Sequence, residues 1–176
     1  MSDQPHNADS DAGEEWGTPP WIVEPLADAI GGFDLDPASG AEPKPYADER
    51  YTKEDNGLTT EWFGHVWVNP PYGRKQNPRW AKRAYKQRKN CESITALVPA
   101  STSESWWQQY YSEFEVFCFI DGRVKFIGAG DDGASFGNVI CVDGAEALPD
   151  EYFVELHRHG TVLSHMDRDD RSIFEL

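Results

Sequence analysis

A chain of 176 residues is long enough to bury a hydrophobic core and short enough to form a single domain. Its 31 acidic and 16 basic residues give a net charge of -15, and so acidic a chain ordinarily argues against a nucleic-acid partner. Three widely spaced cysteines without a CxxC pair indicate neither a disulfide framework nor a zinc cluster. The sequence contains neither an apolar run of membrane-spanning length nor a signal peptide, so we expect a cytoplasmic protein that is not associated with a membrane.

The two ends of the chain differ in composition from its centre. Residues 1–15 contain five acidic residues and no Lys, Arg or aromatic residue, which is typical of a solvated tail. Residues 161–176 are also mostly polar. We therefore predict one domain over residues 16–160, between an acidic N-terminal tail and a polar C-terminal tail.

The first predicted element is a helix with Thr18 as N-cap and Pro19 at its first position, which extends to residue 30 unless Pro25 kinks or delays it. A short strand follows over residues 33–37, and a long loop extends to residue 57. Residues 63–68 are β-branched and aromatic, which predicts a buried strand. That strand should end at residue 69, because the two prolines that follow cannot donate to a ladder.

The second half alternates between predicted helices and strands. The helices span residues 77–90, 103–111 and 149–159, and the strands span residues 94–98, 115–120, 124–127 and 138–142. We expect the last two strands to form an antiparallel hairpin. This alternation predicts an α/β fold with a mostly parallel sheet and an antiparallel hairpin at its C-terminal end.

The most specific motif is Asn69-Pro70-Pro71-Tyr72, directly after an apolar strand, where open α/β sheets bind their ligands. The Asn69 side-chain oxygen and a proline carbonyl would form two acceptors for a planar amino group. Accepting both N–H bonds favours a tetrahedral nitrogen and exposes its lone pair for attack on an activated methyl group. Tyr72 would stack on the ring that bears the amine. The alternative is a proline-rich turn with an Asn cap and a surface tyrosine.

Five segments within residues 16–142 together resemble the phage-borne Dam-like DNA N6-adenine methyltransferases. They are Trp16-Gly17-Thr18-Pro19-Pro20, Phe33-Asp34-Leu35-Asp36-Pro37-Ala38-Ser39, Asp55-Asn56-Gly57-Leu58 with Trp62, Asn69-Pro70-Pro71-Tyr72, and Gly122-Arg123-Val124-Lys125-Phe126. The resemblance implies a single-domain Rossmann-like methyltransferase fold, S-adenosylmethionine as methyl donor, DNA as partner, N6-methyladenine as product, and no metal.

The resemblance also implies roles for individual residues. Residues 69–72 would hold a flipped-out target base, and Phe126 is a candidate for the aromatic residue that closes over that base in related enzymes. Phe126 lies in an apolar run, so the alternative for it is a place in the core. The residues expected to hold the donor are Thr18, Pro19, Asp34, Asp36, Pro37, Ala38 and Asp55.

Two of these acids also have chemistry that suits the donor. Asp36, at the end of a strand, would accept hydrogen bonds from the ammonium or ribose hydroxyls of the donor, and Asp55 from its adenine amino group. Both acids also occur commonly in turns, which is the structural alternative. The sequence has no GxG after the first predicted strand. The 18 residues between Asp36 and Asp55 are too few for a full helix, a second strand and their connections. The acid that grips the donor ribose in many methyltransferases therefore stays unassigned.

The charge distribution reverses the first impression given by the net charge. Residues 74–89 contain eight of the 16 basic residues, and no acid occurs between residues 62 and 91. We predict a DNA phosphate-binding face there, formed by Arg74, Lys75, Arg79, Lys82, Arg83 and Lys86. The alternative is a solvated helix that balances the acidic surface.

The rest of the chain has an excess of acidic residues like that of proteins adapted to molar salt. It fits a halophilic archaeon or its virus, and almost as well an acidic phage protein acting in a host cytoplasm. Three other activities stay open. The same loop serves N4-cytosine DNA methyltransferases and protein glutamine N5 methyltransferases, and a degenerate methyltransferase fold would only bind DNA. We expect a monomer.

Overall fold

The computed structural model of the chain describes residues 16–40, 44–129 and 134–165. These residues form one mixed seven-stranded sheet with four α-helices. The expected N-terminal tail and residues 166–176 of the expected C-terminal tail lie outside the described residues. Within the described part of the chain, no helix combines the length and apolar character needed to cross a membrane.

The helices and strands follow one another in a largely alternating order. The helices are α1 (Pro20–Ile30), α2 (Gln76–Gln87), α3 (Ser105–Gln109) and α4 (Asp150–His159), with 3-10 turns at Tyr111–Glu113 and Ala145–Ala147. The strands are β1 (Phe33–Asp36), β2 (Ala47–Arg50), β3 (Gly64–Val68), β4 (Cys91–Pro99), β5 (Val116–Ile120), β6 (Asn138–Asp143) and β7 (Gly160–Ser164).

The strand order is β2-β1-β3-β4-β6-β5-β7. Strands β2, β1, β3 and β4 pair in parallel and form what we call the parallel half. Strand β6 pairs antiparallel with both β4 and β5, and β7 pairs antiparallel with β5. We call β6, β5 and β7 the antiparallel half. The α/β class is confirmed, but the expectation of a mostly parallel sheet is corrected to a mixed sheet.

Alternating side chains of the central strands build a core on each face of the sheet. Trp67 of β3 and Leu97 of β4 pack with α1 and α4 on one face. Val66 and Ile94, from the same two strands, pack with α2 and α3 on the other face. The resulting three-layer arrangement leaves the ends of the strands as the place where a ligand can enter.

Helix α1 differs from the prediction at both of its uncertain points. Pro19 is the N-cap and Pro20 the first helical residue, so Thr18 does not cap the helix. The helix also continues through Pro25, although proline removes one helical hydrogen bond. Burial of one apolar face outweighs that loss. The buried side chains are Ile22, Val23, Leu26 and Ala27.

The predicted loop over residues 38–57 contains strand β2, so that prediction is wrong in part. β2 is charged, with the sequence ADER, and its side chains give little indication of a strand. It lies at the edge of the sheet and pairs only with β1, where main-chain hydrogen bonds suffice. β1 and β2 run parallel, and the described residues of the ten-residue connection between them, 37–40 and 44–46, form no helix.

The predicted hairpin between residues 124–127 and 138–142 does not form. β6 instead inserts between β4 and β5. Val124 and Phe126 are buried while Lys125 and Ile127 are exposed, so the segment alternates like a strand without joining the sheet. Among the residues that the structure describes, the segment pairs through a bridge from Ile127 to Gly17 and a hydrogen bond from the Ala134 N–H to the Val124 carbonyl.

Strand β7 occupies the place where we expected the polar C-terminal tail to begin. It pairs with β5 from Gly160 to Ser164, so the sheet extends past residue 160. The division of the chain into a central domain and two tails otherwise stays a prediction.

Candidate active site

A cavity of about 450 Å³ opens where the strands of the parallel half end. Asp36 is the last residue of β1, residues 51–53 follow β2, and Asn69 follows β3. Because these strands are parallel, their carboxyl ends meet at one edge of the sheet. The predicted donor- and base-binding residues that line the cavity are Thr18, Asp36, Pro37, Ala38, Asn69 and Pro71.

Asp36 is the one acidic residue among the described residues that line the cavity, and it is only 2% exposed. One carboxylate oxygen accepts the Ala38 N–H at 3.0 Å, and the other accepts the Tyr46 hydroxyl at 3.0 Å. Burial raises the pKa of the Asp36 carboxyl to about 6, against the lowering effect of these hydrogen bonds and of Lys44. Asp36 is therefore a preorganised acceptor whose charge depends on pH near neutrality.

Asn69 lies across the cavity from β1 and is held by its amide nitrogen. Nδ2 donates to the main-chain carbonyl of Trp16 at 2.8 Å. A carbonyl only accepts, so the side-chain atom that faces it must be the nitrogen. The Asn69 carbonyl oxygen is consequently the atom that can accept a hydrogen bond from a ligand.

The structure buries Tyr72, which we expected to stack on a base, and also Phe126, for which the core was the alternative to stacking. Tyr72 is 5% exposed, and its hydroxyl donates to the Leu97 carbonyl at 2.8 Å. Phe126 is 3% exposed and packs edge-to-face on Tyr72, with ring centroids 5.6 Å apart. Trp16 and Phe136 complete this aromatic cluster. Stacking on a target base would require either ring to leave the core.

The other predicted site residues lie outside the cavity lining. The Asp34 carboxylate accepts the His65 N–H at 2.6 Å and so ties β1 to β3. Asp55 accepts the N–H and hydroxyl of Thr52, both at 2.8 Å, and these bonds lower its pKa. Pro19 and Pro70 are buried beside lining residues.

The sequence analysis gave no individual role to about two thirds of the residues that line the cavity. Six of them belong to the motifs that carry the family resemblance: Trp16, Gly17, Ser39, Asn56, Gly57 and Leu58. The others were missed: Gly40, Lys44, Tyr46, Tyr51, Thr52, Lys53, Gln76 and Trp80. The motifs therefore located the correct loops. Tyr46 and Trp80 carry no such signal, since their place in the wall depends on tertiary packing.

Two of the residues that line the cavity have polar side-chain atoms without a hydrogen-bond partner in the described part of the chain. Ser39 Oγ and Trp80 Nε1 are buried and have no hydrogen-bond partner among the described residues. Buried polar atoms are normally paired, and orphans of this kind often mark a ligand site. Gly57 packs closely against the loop that follows β1, because a Cβ there would lie 2.1 Å from the Pro37 carbonyl oxygen. Even a methyl group at position 57 would therefore disturb the wall.

The basic helix α2 borders the cavity, and its cationic side chains differ in their exposure to solvent. Four exposed cations at spacings of four, three and four residues form one stripe, which we call the cation stripe: Lys75, Arg79, Lys82 and Lys86. Arg79 also lines the cavity. Arg83, in contrast, is partly buried and donates to the Thr60 carbonyl at 2.6 Å, and burial lowers its pKa. Arg74 is exposed just before the helix.

Metal binding has no support among the described side chains. In residues 16–40, 44–129 and 134–165, no three His, Cys, Asp or Glu side chains form a group that could hold a metal ion. All three cysteines are free. The absence of a metal from the protein stays a prediction.

The sequence was compared with known families and proteins. The family model described as DNA N-6-adenine-methyltransferase (Dam) matches residues 6–157. A protein of Escherichia phage T1 named DNA N-6-adenine-methyltransferase is 30% identical over 132 residues, which is 73% of this chain and 54% of that relative. The match thus spans about half the length of the curated relative. Since the family model covers most of the sequence, the chain belongs to the DNA N-6-adenine-methyltransferase (Dam) family.

Proposed function

We propose that this protein transfers a methyl group from S-adenosylmethionine to the exocyclic N6 amine of adenine in DNA. The observation that carries the proposal is the convergence of Asp36 and Asn69 on one cavity in a member of the Dam family. A buried carboxylate suits the polar groups of a donor, whereas an oriented amide oxygen suits an amine. One cavity therefore offers acceptors for both substrates.

The cavity has the size and chemistry that such a donor requires. A volume of about 450 Å³ is in the usual range for small-molecule sites. Asp36 would accept from the ammonium or ribose hydroxyls, and the orphaned Ser39 Oγ and Trp80 Nε1 would find partners in its polar atoms. Asp34 and Asp55 are engaged in contacts of their own outside the cavity lining, so Asp36 is our principal donor-binding acid. Bound there, the donor would supply an electrophilic methyl group.

Asn69 would act on the target amine. Its oriented oxygen, with the Pro70 carbonyl, would accept the two N6 hydrogens and favour the tetrahedral nitrogen that attacks a methyl group. Neither oxygen retains a proton at neutral pH, so the proton that N6 loses would pass to water. No residue with an unusual pKa is needed as a base. Tyr72 would serve as an anchor of this loop through its hydrogen bond to the Leu97 carbonyl.

The target base would have to leave the duplex. Asn69 is half-buried, so an amine inside a stacked and paired base cannot reach it. Flipping costs a few kcal/mol. Phosphate contacts from the cation stripe, which begins beside the cavity, would offset part of that cost. With a phage-encoded enzyme this reaction would take place in the host cytoplasm.

The proposal is tested by incubating the protein with labelled S-adenosylmethionine and unmethylated DNA, followed by nucleoside mass spectrometry. We expect label in N6-methyladenine. Label in N4-methylcytosine would contradict the choice of base while retaining the chemistry of the loop, and the absence of any labelled nucleoside would contradict DNA as substrate. DNA binding without donor binding in calorimetry would identify a degenerate binding protein and overturn the enzyme proposal.

A further inference from the structure

The main-chain carbonyl of Trp16 is the group that fixes the orientation of Asn69. The two residues are 53 positions apart in the chain, and the hydrogen bond from Asn69 Nδ2 to this carbonyl is 2.8 Å long. Without it, the Asn69 amide could rotate and present its nitrogen, a donor, where the proposed reaction needs an acceptor. The position of Trp16 is therefore coupled to the chemistry of the loop.

Trp16 is itself held from two sides. Gly17 and Ile127 exchange two main-chain hydrogen bonds, each of 2.9 Å. The Trp16 ring packs against Phe126 at a centroid distance of 5.5 Å and stacks on Phe136 at 6.3 Å with an interplanar angle of 13°. The segment of residues 123–127, which joins no strand of the sheet, thus supports the residues that support Asn69.

We propose that residues 16–17, which we call the positioning segment, hold Asn69 with its amide oxygen ready to accept from the target amine. Trp16 and Gly17 are positioning residues, since they act through Asn69. The inference rests on the proposed function for the role of Asn69. It adds that this role depends on the pairing between the positioning segment and Ile127.

Ile127 offers a matched pair of variants for the test. Its side chain is 60% exposed, so substitution disturbs little of the core. Ile127→Pro removes the N–H that donates to the Gly17 carbonyl, whereas Ile127→Ala keeps that N–H and removes only the side chain. We expect Ile127→Pro to lower kcat about tenfold or more, with donor affinity within threefold of wild type, because small misplacements of reacting groups are costly. Ile127→Ala should stay within twofold in kcat.

A second readout does not depend on activity. The Asn69 side-chain amide protons, assigned by their disappearance in Asn69→Asp, should exchange slowly with solvent in wild type and in Ile127→Ala. In Ile127→Pro we expect at least tenfold faster exchange. Wild-type kcat together with an equally protected amide in Ile127→Pro would overturn the inference while leaving the proposed function intact. Absence of methyl transfer by wild type would overturn the proposed function, and the exchange rates alone would then decide the inference.

A second pair of variants covers the case in which Ile127→Pro does not fold, as judged by circular dichroism. Trp16→Phe keeps an aromatic ring against Phe126 and Phe136, and Trp16→Leu does not. We expect Trp16→Leu to lose kcat and amide protection together, and Trp16→Phe to restore most of both. Equal kcat and equal protection in the two Trp16 variants would contradict the positioning role.

Discussion

The two halves of the sheet meet where β4 pairs with β6, but they differ in what lies at the ends of their strands. In the parallel half, β1, β2 and β3 all lead into the cavity at their carboxyl ends. In the antiparallel half, neighbouring strands alternate in direction, and no residue of β5, β6 or β7 lines that cavity. Parallel pairing gathers loops from separate parts of the chain at one edge, which is why candidate site residues concentrate there.

The polar groups at the cavity and away from it also have different surroundings. Asp36 and Asn69 each use part of their hydrogen-bonding capacity inside the protein and keep the rest at the cavity. Away from the cavity, Thr95 of β4 and Tyr152 of α4 are completely buried and bond to each other at 2.6 Å. We therefore expect substitutions at the cavity to impair function and those at Thr95 and Tyr152 to impair stability alone.

The largest effect is expected for Asn69→Ala. Removing one preorganised polar group from the reacting amine typically costs about 10²–10³ in rate. Donor affinity should remain within a few fold of wild type, because Asn69 is assigned to the target amine. Single-turnover methylation and calorimetry on the same protein provide the two values. Near-normal turnover in Asn69→Ala would contradict the assignment of Asn69 to the reacting amine. The functional distinction between the two halves of the sheet would then be lost.

Asp36→Asn should act on the donor instead. Hydrogen bonds to charged groups contribute about 1.5–3 kcal/mol, so donor affinity at pH 8 should fall about 10- to 100-fold. In wild type the affinity should rise as pH increases through about 6, where Asp36 ionises, and in the variant it should be flat. Calorimetry between pH 5 and 8 measures both. Unchanged donor affinity would leave Asp36 with a structural role only.

Asp36→Asn should also change how the stability of the protein depends on pH. The folded-state pKa of Asp36 is raised, so the folded protein holds this proton more tightly than the unfolded chain does. Stability from this group is therefore present at low pH and is lost as pH rises from about 4 to about 6. The difference in stability between Asp36→Asn and wild type should therefore shift in favour of the variant by on the order of 2–3 kcal/mol between pH 4 and pH 7. Urea unfolding at several pH values measures the difference.

The proposed phosphate contacts of the cation stripe can be tested against the structural contact of Arg83 on the same helix. Replacing Arg79, Lys82 and Lys86 with Gln should weaken binding to all DNA sequences, and the slope of log affinity against log salt should become shallower by about 0.9 for each phosphate that is no longer neutralised. Arg83→Gln should leave the slope unchanged and lower stability by about 1 kcal/mol, since Arg83 bonds to the Thr60 carbonyl. An unaltered slope in the triple variant would refute the proposal that the cation stripe binds DNA phosphates.

The smallest functional effect is expected away from the cavity. Tyr152→Phe removes one partner of the Thr95 hydroxyl and should cost about 1–2 kcal/mol of stability, with kcat unchanged. Adding Thr95→Val removes the other polar group and should recover part of that stability. A tenfold fall in kcat in Tyr152→Phe would show that this buried pair and the cavity are coupled more closely than we expect.

The sequence predicted best those elements whose signals are local. β3 and the loop after it were located by an apolar run followed by two prolines, and helix α2 by its proline and charge pattern. β2 was missed because a charged edge strand is held by main-chain bonds that leave no mark on side-chain pattern. Residues 124–127 alternate in burial like a strand, yet β6 is paired with β4 and β5.

The site was predictable to the level of loops but not of side-chain environment. Asp36 and Asn69 follow from strand ends, where the chemistry of the residue type is informative. The burial of Tyr72 could not be foreseen, because it depends on Trp16, Phe126 and Phe136 from distant parts of the chain. The hydrogen bond of Arg83 to Thr60 is likewise a tertiary contact, and the charge pattern made Arg83 look equivalent to Lys82.

The most direct test of the central claim is an NMR titration of the 15N-labelled protein with S-adenosylmethionine. We predict the largest amide shifts around the cavity, in Asp36, residues 38–40, Lys44, Tyr46, residues 56–58 and Asn69. We predict small shifts in the antiparallel half, in Val116–Ile120 and Gly160–Ser164. Largest shifts in the antiparallel half, or no shifts at millimolar donor, would contradict the assignment of the cavity as the donor site.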